Sequence, residues 1–180
     1  MKTKISLALI IFSTLFVGCK NEKSVDSLEV VKTEVVDKNF QVTLDVVVKK
    51  NDDFALYYTQ DGTSDFKDAP IWIGVKGSEA SQKVVFSLPE DVIPTHLRID
   101  FGMNKDQEPI ALNNYKMTYA GKSFEAPGAM FFKYFRPNLE CTNVDPEKGL
   151  IIPVKKGDKY FGPSFYPEQL ICDEIDKLVK

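Results

Sequence analysis

An alternation of apolar and polar residues is the feature of this sequence that most constrains its fold. From residue 40 to residue 48 every second residue is apolar, in the order Phe40, Val42, Leu44, Val46 and Val48. A period of two places apolar side chains on one face of an extended strand and polar ones on the other. This segment therefore predicts a β-strand with one buried face.

The same pattern recurs through the first two thirds of the chain. Further strands are predicted at residues 28–36, 54–59, 71–75, 84–88, 97–101 and 115–119, with Gly, Pro, Asn and Asp in the segments between them. Short strands at regular spacing with such turns are typical of antiparallel sandwiches and barrels. We expect residues 28–180 to form one all-β domain, an antiparallel, jelly-roll-like β-sandwich.

Two segments near the end of the chain break this regularity. Residues 129–135 (AMFFKYF) are so aromatic that we expect them to be largely buried or to form a surface for a partner. Residues 167–179 predict a short C-terminal α-helix with Pro167 in its first turn. One side of that helix would be apolar, formed by Leu170, Ile171, Ile175, Leu178 and Val179.

Residues 1–18 have the organisation of a secretory signal peptide. Lys2 and Lys4 precede an apolar run at residues 5–12, and Gly18 stands directly before Cys19. A positive start, a short apolar segment and small residues at a cut site define such signals. An uncleaved anchor is the alternative, but a membrane-spanning helix needs about 20 apolar residues, more than this stretch contains.

Val17-Gly18-Cys19 resembles the lipobox of bacterial lipoproteins, and the run at residues 20–23 (KNEK) is similar to the start of mature lipoproteins of the Bacteroidota. The resemblance implies that the Cys19 sulfur receives a diacylglycerol and that the chain is cut before it. Residues 19–27 would then be a lipidated tether, since two acyl chains anchor stably to a membrane. The expected location is the cell envelope, at the periplasmic or the surface face of the outer membrane. A cleaved signal without lipidation is the alternative.

The charge balance argues against nucleic acid as a partner. Removal of residues 1–18 takes away Lys2 and Lys4 and no acid, which lowers Lys+Arg from 23 to 21 against 26 Asp+Glu, a net charge of −5. Binding to a phosphate backbone requires a basic footprint, which this chain does not have.

Two cysteines remain once Cys19 is assigned to the lipid anchor. In an oxidising compartment an even remainder favours a disulfide, here between Cys141 and Cys172, and two separate thiols are the alternative. A metal site is not expected, because the sequence has no CxxC pair and a single histidine. We expect no cofactor.

The sequence lacks the residue patterns of the common catalytic mechanisms. His96 is the only histidine, and the chain contains no GxSxG, no HExxH and no glycine-rich phosphate loop. We therefore expect a protein that is not an enzyme. A glycosidase built on paired carboxylates is the exception that the many acidic residues leave open.

The segment from Lys83 to Phe124 adds a second resemblance. Its strands VVFSLP (84–89), LRIDFG (97–102) and YKMTY (115–119) resemble the second half of jelly-roll sandwiches of the carbohydrate-binding-module and galactose-binding-like type. The resemblance implies the sandwich fold and a glycan as a possible ligand class, although one fold carries many functions.

Strand alternation also selects candidate binding residues. If Ile71 and Ile73 face the core, Trp72 faces outward, and the same count places Tyr57, Arg98 and Asp100 outward. Aromatic faces and charged side chains together suit a sugar. The alternatives are that Trp72 packs beneath the loop at residues 60–69, or that the protein has an assembly role and docks another envelope protein through the aromatic residues 129–135.

Overall fold

The structure, a computed structural model, describes residues 38–155 and 160–180. The predicted signal peptide at residues 1–18, the predicted lipidation site Cys19, the predicted tether up to residue 27 and the strand predicted at residues 28–36 lie outside the described residues. The described elements, in chain order, are β1 (Gln41–Val47), β2 (Asp52–Thr59), β3 (Ile71–Val75), β4 (Gln82–Ser87), β5 (His96–Asp100), β6 (Ile110–Tyr119), β7 (Lys122–Pro127), α1 (Gly128–Tyr134), β8 (Phe135–Pro137), β9 (Thr142–Asp145), β10 (Leu150–Pro153), β11 (Ser164–Pro167) and α2 (Gln169–Val179).

The strands form two antiparallel sheets. Sheet one has the order β4-β1-β6-β10-β9, and sheet two has the order β3-β2-β5-β11-β8. Strand β6 pairs with β1 along one edge, while β10 and β7 share its other edge, β10 at Ile110 and Ala111 and β7 from Asn114 onward. The predicted antiparallel β-sandwich with a C-terminal helix is confirmed.

The core lies between the inner faces of the two sheets. The alternating residues Val42, Leu44 and Val46 of β1 are fully buried, and they belong to the same cluster as Leu56 and Ile99 of sheet two. Burial of one such side chain contributes about 1.5–3 kcal/mol. The apolar residues of the period-two pattern therefore stabilise the sandwich through their burial between the two sheets.

Five aromatic residues, which we call the inner aromatic cluster, fill one part of this core: Phe101, Tyr115, Phe131, Phe135 and Phe165. Phe131 stacks on Phe135 with ring centroids 4.7 Å apart, and it contacts Tyr115 at 5.6 Å and Phe165 at 5.3 Å. All five side chains are fully buried. The aromatic segment at residues 129–135 thus contributes Phe131 and Phe135 to the core.

Helix α1, which holds most of that segment, was not predicted from the sequence. It has only seven residues, too few to be stable alone, so its packing against the core maintains it. Gly128 starts the helix, where a Cβ atom would lie 1.7 Å from the carbonyl oxygen of Leu112. Only glycine lets the helix approach β6 so closely.

The C-terminal helix differs from its prediction at its start. Helix α2 begins at Gln169, and Pro167 is the last residue of β11, where it pairs with Phe135. Ile171, Ile175 and Leu178 are buried as predicted, but Leu170 is exposed. The prediction for Leu170 was wrong because it lies about 100° around the helix from Ile171, outside the buried stripe.

Candidate ligand-binding cleft

The register of sheet two brings together residues that are distant in sequence. Trp72 pairs with Ala55, Ala55 with Asp100, and Asp100 with Ser164, so these four residues form one row across β3, β2, β5 and β11. Since neighbouring strands lie about 4.8 Å apart, the backbones at Trp72 and Asp100 are about 10 Å apart. Ala55, the residue between them, is small and fully buried, so it does not itself reach the surface between Trp72 and Asp100.

A cleft of about 350 Å³ opens over this part of the sheet. All four candidate binding residues predicted from the sequence line it, and so do seven that were not predicted. The lining residues are Tyr57, Trp72, Arg98, Asp100, Met103, Asn138, Glu140, Cys141, Phe161, Gly162 and Ser164.

Trp72 faces outward, as the alternation predicts, and 50% of its surface is exposed. That exposure does not fit the alternative in which it packs beneath the loop at residues 60–69. The loop instead places Phe66 beside Tyr57, with ring centroids 6.4 Å apart. Met103 and Phe161, which also line the cleft, are 54% and 64% exposed. The cleft therefore has three large apolar side chains open to solvent.

Arg98 and Asp100 form the charged part of the cleft. The Arg98 Nε and Nη2 atoms donate to the two carboxylate oxygens of Asp100 at 2.9 and 2.7 Å. The guanidinium carbon lies 4.6 Å from the ring centre of Tyr57 and 4.9 Å from that of Tyr166. A bidentate ion pair that also stacks on two aromatic rings has little freedom to move.

Burial and pairing shift the pKa values of these two groups. Burial raises the pKa of the Asp100 carboxyl above its ordinary value, and the bonds from Arg98 offset only part of that effect. Burial alone would lower the pKa of Arg98, but its bonds to Asp100 and the charge of that carboxylate raise it. Arg98 is therefore a permanent cation, whereas Asp100 is easier to protonate than an ordinary aspartate.

The floor of the cleft is polar and contains one of the two remaining cysteines. The Cys141 sulfur lies 3.6 Å from the hydroxyls of Thr142 and Ser164, and the Thr142 hydroxyl accepts a bond from the Ser164 backbone N–H at 3.0 Å. Cys141 and Cys172 are free thiols, so the predicted disulfide is not present. The sulfur of Cys141 is enclosed by polar groups of the cleft floor, whereas Cys172 is half-buried on α2, where burial raises the pKa of its thiol.

Glu140 and Asn138 supply further polar groups at the cleft. The Glu140 backbone N–H donates to the Asn138 side-chain oxygen at 3.1 Å, which holds this turn in place. The Glu140 side chain is exposed, and its carboxylate forms no ion pair with another described residue. It is thus free to interact with a ligand. The sequence contained no strand pattern that would have identified either residue.

A second, wider depression of about 600 Å³ adjoins this region and is lined by Asp52 and its neighbours. Asp52 is buried and accepts hydrogen bonds from the backbone N–H groups of Asp53, Met103 and Asn104 and from the Gln107 amide. These bonds fix the loop between β5 and β6. Because Asp52 is already used in this way, it is a structural residue, and the narrower cleft is the better candidate site.

The remaining sequence candidates contribute no site of their own. His96 is half-buried, and its Nδ1 lies 3.3 Å from the Thr95 hydroxyl. Within residues 38–155 and 160–180, no group of three or more His, Cys, Asp or Glu is arranged to hold a metal ion. No helix in that part of the chain is long and apolar enough to cross a membrane.

The aromatic docking surface of the assembly alternative is not available in the fold. Phe131 and Phe135 are fully buried, and Phe132 is half-buried against the core. Among the described residues, the exposed Trp and Phe side chains are Trp72 and Phe161, and both line the cleft instead.

Comparisons with protein-family models, with curated proteins and with solved structures each found no significant match.

Proposed function

We propose that this protein is a lipid-anchored protein of the bacterial envelope whose β-sandwich binds glycans without catalysing a reaction. The proposal rests on one observation: Trp72, which is half exposed, lines the same cleft as Tyr57, Arg98 and Asp100. These residues come from three strands, and their only common feature in the sequence is that each faces outward.

The chemistry of the cleft suits a sugar ring. A pyranose has apolar C–H faces and a rim of hydroxyls, so it is bound by an aromatic face together with polar groups at its edge. Trp72 and Phe161 supply exposed aromatic faces, and Asp100, Asn138 and Glu140 supply hydrogen-bonding groups. A volume of about 350 Å³ is in the range of small-ligand sites, which begins at about 300 Å³.

The polar side of the cleft is organised before any ligand arrives. Arg98 is held by Asp100 and by the rings of Tyr57 and Tyr166. A ligand that uses these groups does not have to order them first, which saves binding free energy.

The direct test is a glycan-array and cell-wall pull-down screen on the purified full chain. We expect Trp72→Ala to abolish binding, because it removes the aromatic wall of the cleft. The matched control is Val85→Ala, which removes an apolar side chain that is 43% exposed on sheet one and is not among the lining residues. A folded chain that binds no glycan, or a Trp72→Ala variant that binds as well as the parent, would contradict the proposal.

The lipid anchor is a separate part of the proposal and rests on residues 1–19. We expect the chain, expressed in a bacterial host, to incorporate an alkyne fatty acid during metabolic labelling. We also expect it to fractionate with the membranes. Cys19→Ala should lose both properties, whereas Cys141→Ala should keep them. Equal labelling of the Cys19→Ala variant would remove the anchor from the proposal.

A further inference from the structure

We infer that the cleft accepts neutral glycans and rejects acidic ones. This inference rests on the proposed function, and it names the class of sugar that the same cleft takes. It follows from the charges that line the cleft and from the way in which each of them is used.

The cation that the structure describes in the cleft is already paired. Among the described lining residues Arg98 is the only basic one, and two of its N–H groups bind the carboxylate of Asp100. Its guanidinium also lies over the rings of Tyr57 and Tyr166. A carboxylate on a sugar that approached Arg98 would therefore meet the negative charge of Asp100 directly beside it.

Glu140 adds a second negative charge to the lining. Since Arg98 and Asp100 offset one another, the described lining residues together carry one net negative charge, that of Glu140. A uronic acid or a phosphorylated sugar would be held next to a like charge, with no unpaired cation among those residues to balance it. The net charge of −5 on the mature chain acts in the same direction at longer range.

The same groups are well suited to hydroxyls. An ionised carboxylate only accepts hydrogen bonds and offers about four lone-pair sites, of which Arg98 occupies two on Asp100. Sugar hydroxyls are donors that can fill the rest, and those of Glu140 as well. Neutral sugars thus find acceptors where acidic sugars find repulsion.

The test compares sugars that differ only in charge. Oligomers of glucose, galactose and mannose are measured against the full chain beside the corresponding oligomers of glucuronate, galacturonate and mannuronate. We expect binding in the neutral set and, for each bound sugar, a dissociation constant at least about tenfold larger for its uronate, because a like charge within the cleft is only partly screened.

Glu140→Gln identifies the group responsible. The amide keeps the size and removes the charge, so we expect the discrimination between neutral sugar and uronate to fall about three- to tenfold through tighter uronate binding. Glu79→Gln, on an exposed loop between β3 and β4, is the matched control and should leave discrimination unchanged.

The outcomes separate the inference from the function beneath it. Uronates that bind as tightly as their neutral partners, or more tightly, overturn the inference and leave glycan binding standing. Unchanged discrimination in Glu140→Gln also overturns it, since the charge that it invokes would then have no effect. An absence of binding by both sets would count against glycan binding itself.

Discussion

The inner aromatic cluster and the cleft lie on opposite faces of sheet two. Both contain aromatic residues, but these differ in their exposure to solvent. The rings of the inner cluster are fully buried and pack against one another, as in the stacked pair Phe131 and Phe135. The aromatic side chains of the cleft, Trp72 and Phe161, are largely open to solvent, and Tyr57 packs against a charged group.

Single strands supply both regions. In β11, Phe165 enters the inner cluster while the next residue, Tyr166, stacks on Arg98 outside. In β5, buried Ile99 stands between Arg98 and Asp100. Alternation along a strand thus places each residue either in the core or on the face that carries the proposed binding cleft, and one substitution should affect mainly one of the two regions.

The largest effect is expected for Phe131→Ala in the inner cluster. This change empties the centre of the stack, and we expect the free energy of unfolding to fall by about 3–5 kcal/mol in urea titrations. Phe161→Ala is the matched substitution on the cleft side, where the ring is 64% exposed, and it should change the unfolding free energy by less than about 0.5 kcal/mol while weakening glycan binding. Equal destabilisation by both variants would contradict this division, since the cleft side chain would then contribute as much to stability as the core side chain.

A smaller effect is expected for Gly162→Ala, which should change both the stability of the fold and binding at the cleft. A Cβ atom there would lie 1.6 Å from the carbonyl oxygen of Gly102, so the backbone between the cleft wall and β11 must shift. We expect a loss of about 1–3 kcal/mol in unfolding free energy together with weaker ligand binding.

Gly74→Ala is the control for this variant, since its Cβ atom would meet only Asp53 at 3.5 Å, an ordinary contact. It should be close to neutral in urea titrations. A Gly162→Ala variant that loses stability but keeps full binding would mean that the cleft does not depend on this backbone contact.

The smallest effect is a pH dependence confined to the cleft. Because folding raises the pKa of Asp100, its contribution to stability is fully present below the ordinary aspartate pKa of about 3.9 and is lost as the pH rises through the raised value. Glycan binding should change in the opposite direction, since the ionised carboxylate is the form that holds Arg98.

Asp100→Asn removes this titration and isolates it. Urea titrations of both proteins from pH 3 to pH 6 should show the unfolding free energy of the parent falling relative to that of the variant as the pH rises. A difference between the two proteins that stays constant over this range would contradict the raised pKa.

The fold was predictable from the sequence where the alternation of apolar and polar residues is long and regular. The alternation at residues 40–48 identified β1 and its buried face, and the strands around Leu56, Ile73, Phe86 and Ile99 followed from the same rule. Helix α1 could not be found in this way, because its seven residues are helical only through packing and through the close approach of Gly128 to β6. Tertiary contacts outweigh local preference in such short segments.

The cleft was predictable only in part. Alternation identified Trp72, Tyr57, Arg98 and Asp100 as outward-facing, but nothing in the sequence states that Trp72 and Asp100 flank Ala55, since strand register depends on the whole sheet. The other wall comes from irregular segments, in which Glu140 and Phe161 carry no periodic signal.

Strand β11 joins sheet two beside β5 although β6 to β10 and α1 lie between them in the chain. Contacts of such long sequence separation form late, because a large loop must close before they can stabilise the fold. The lining of the cleft includes Phe161 and Gly162, which precede β11, and Ser164, the first residue of that strand. The cleft is thus completed only when nearly the whole chain has been synthesised: a chain cut short before Phe161 would retain Trp72, Tyr57, Arg98 and Asp100 but would lack the lining that Phe161, Gly162 and Ser164 supply.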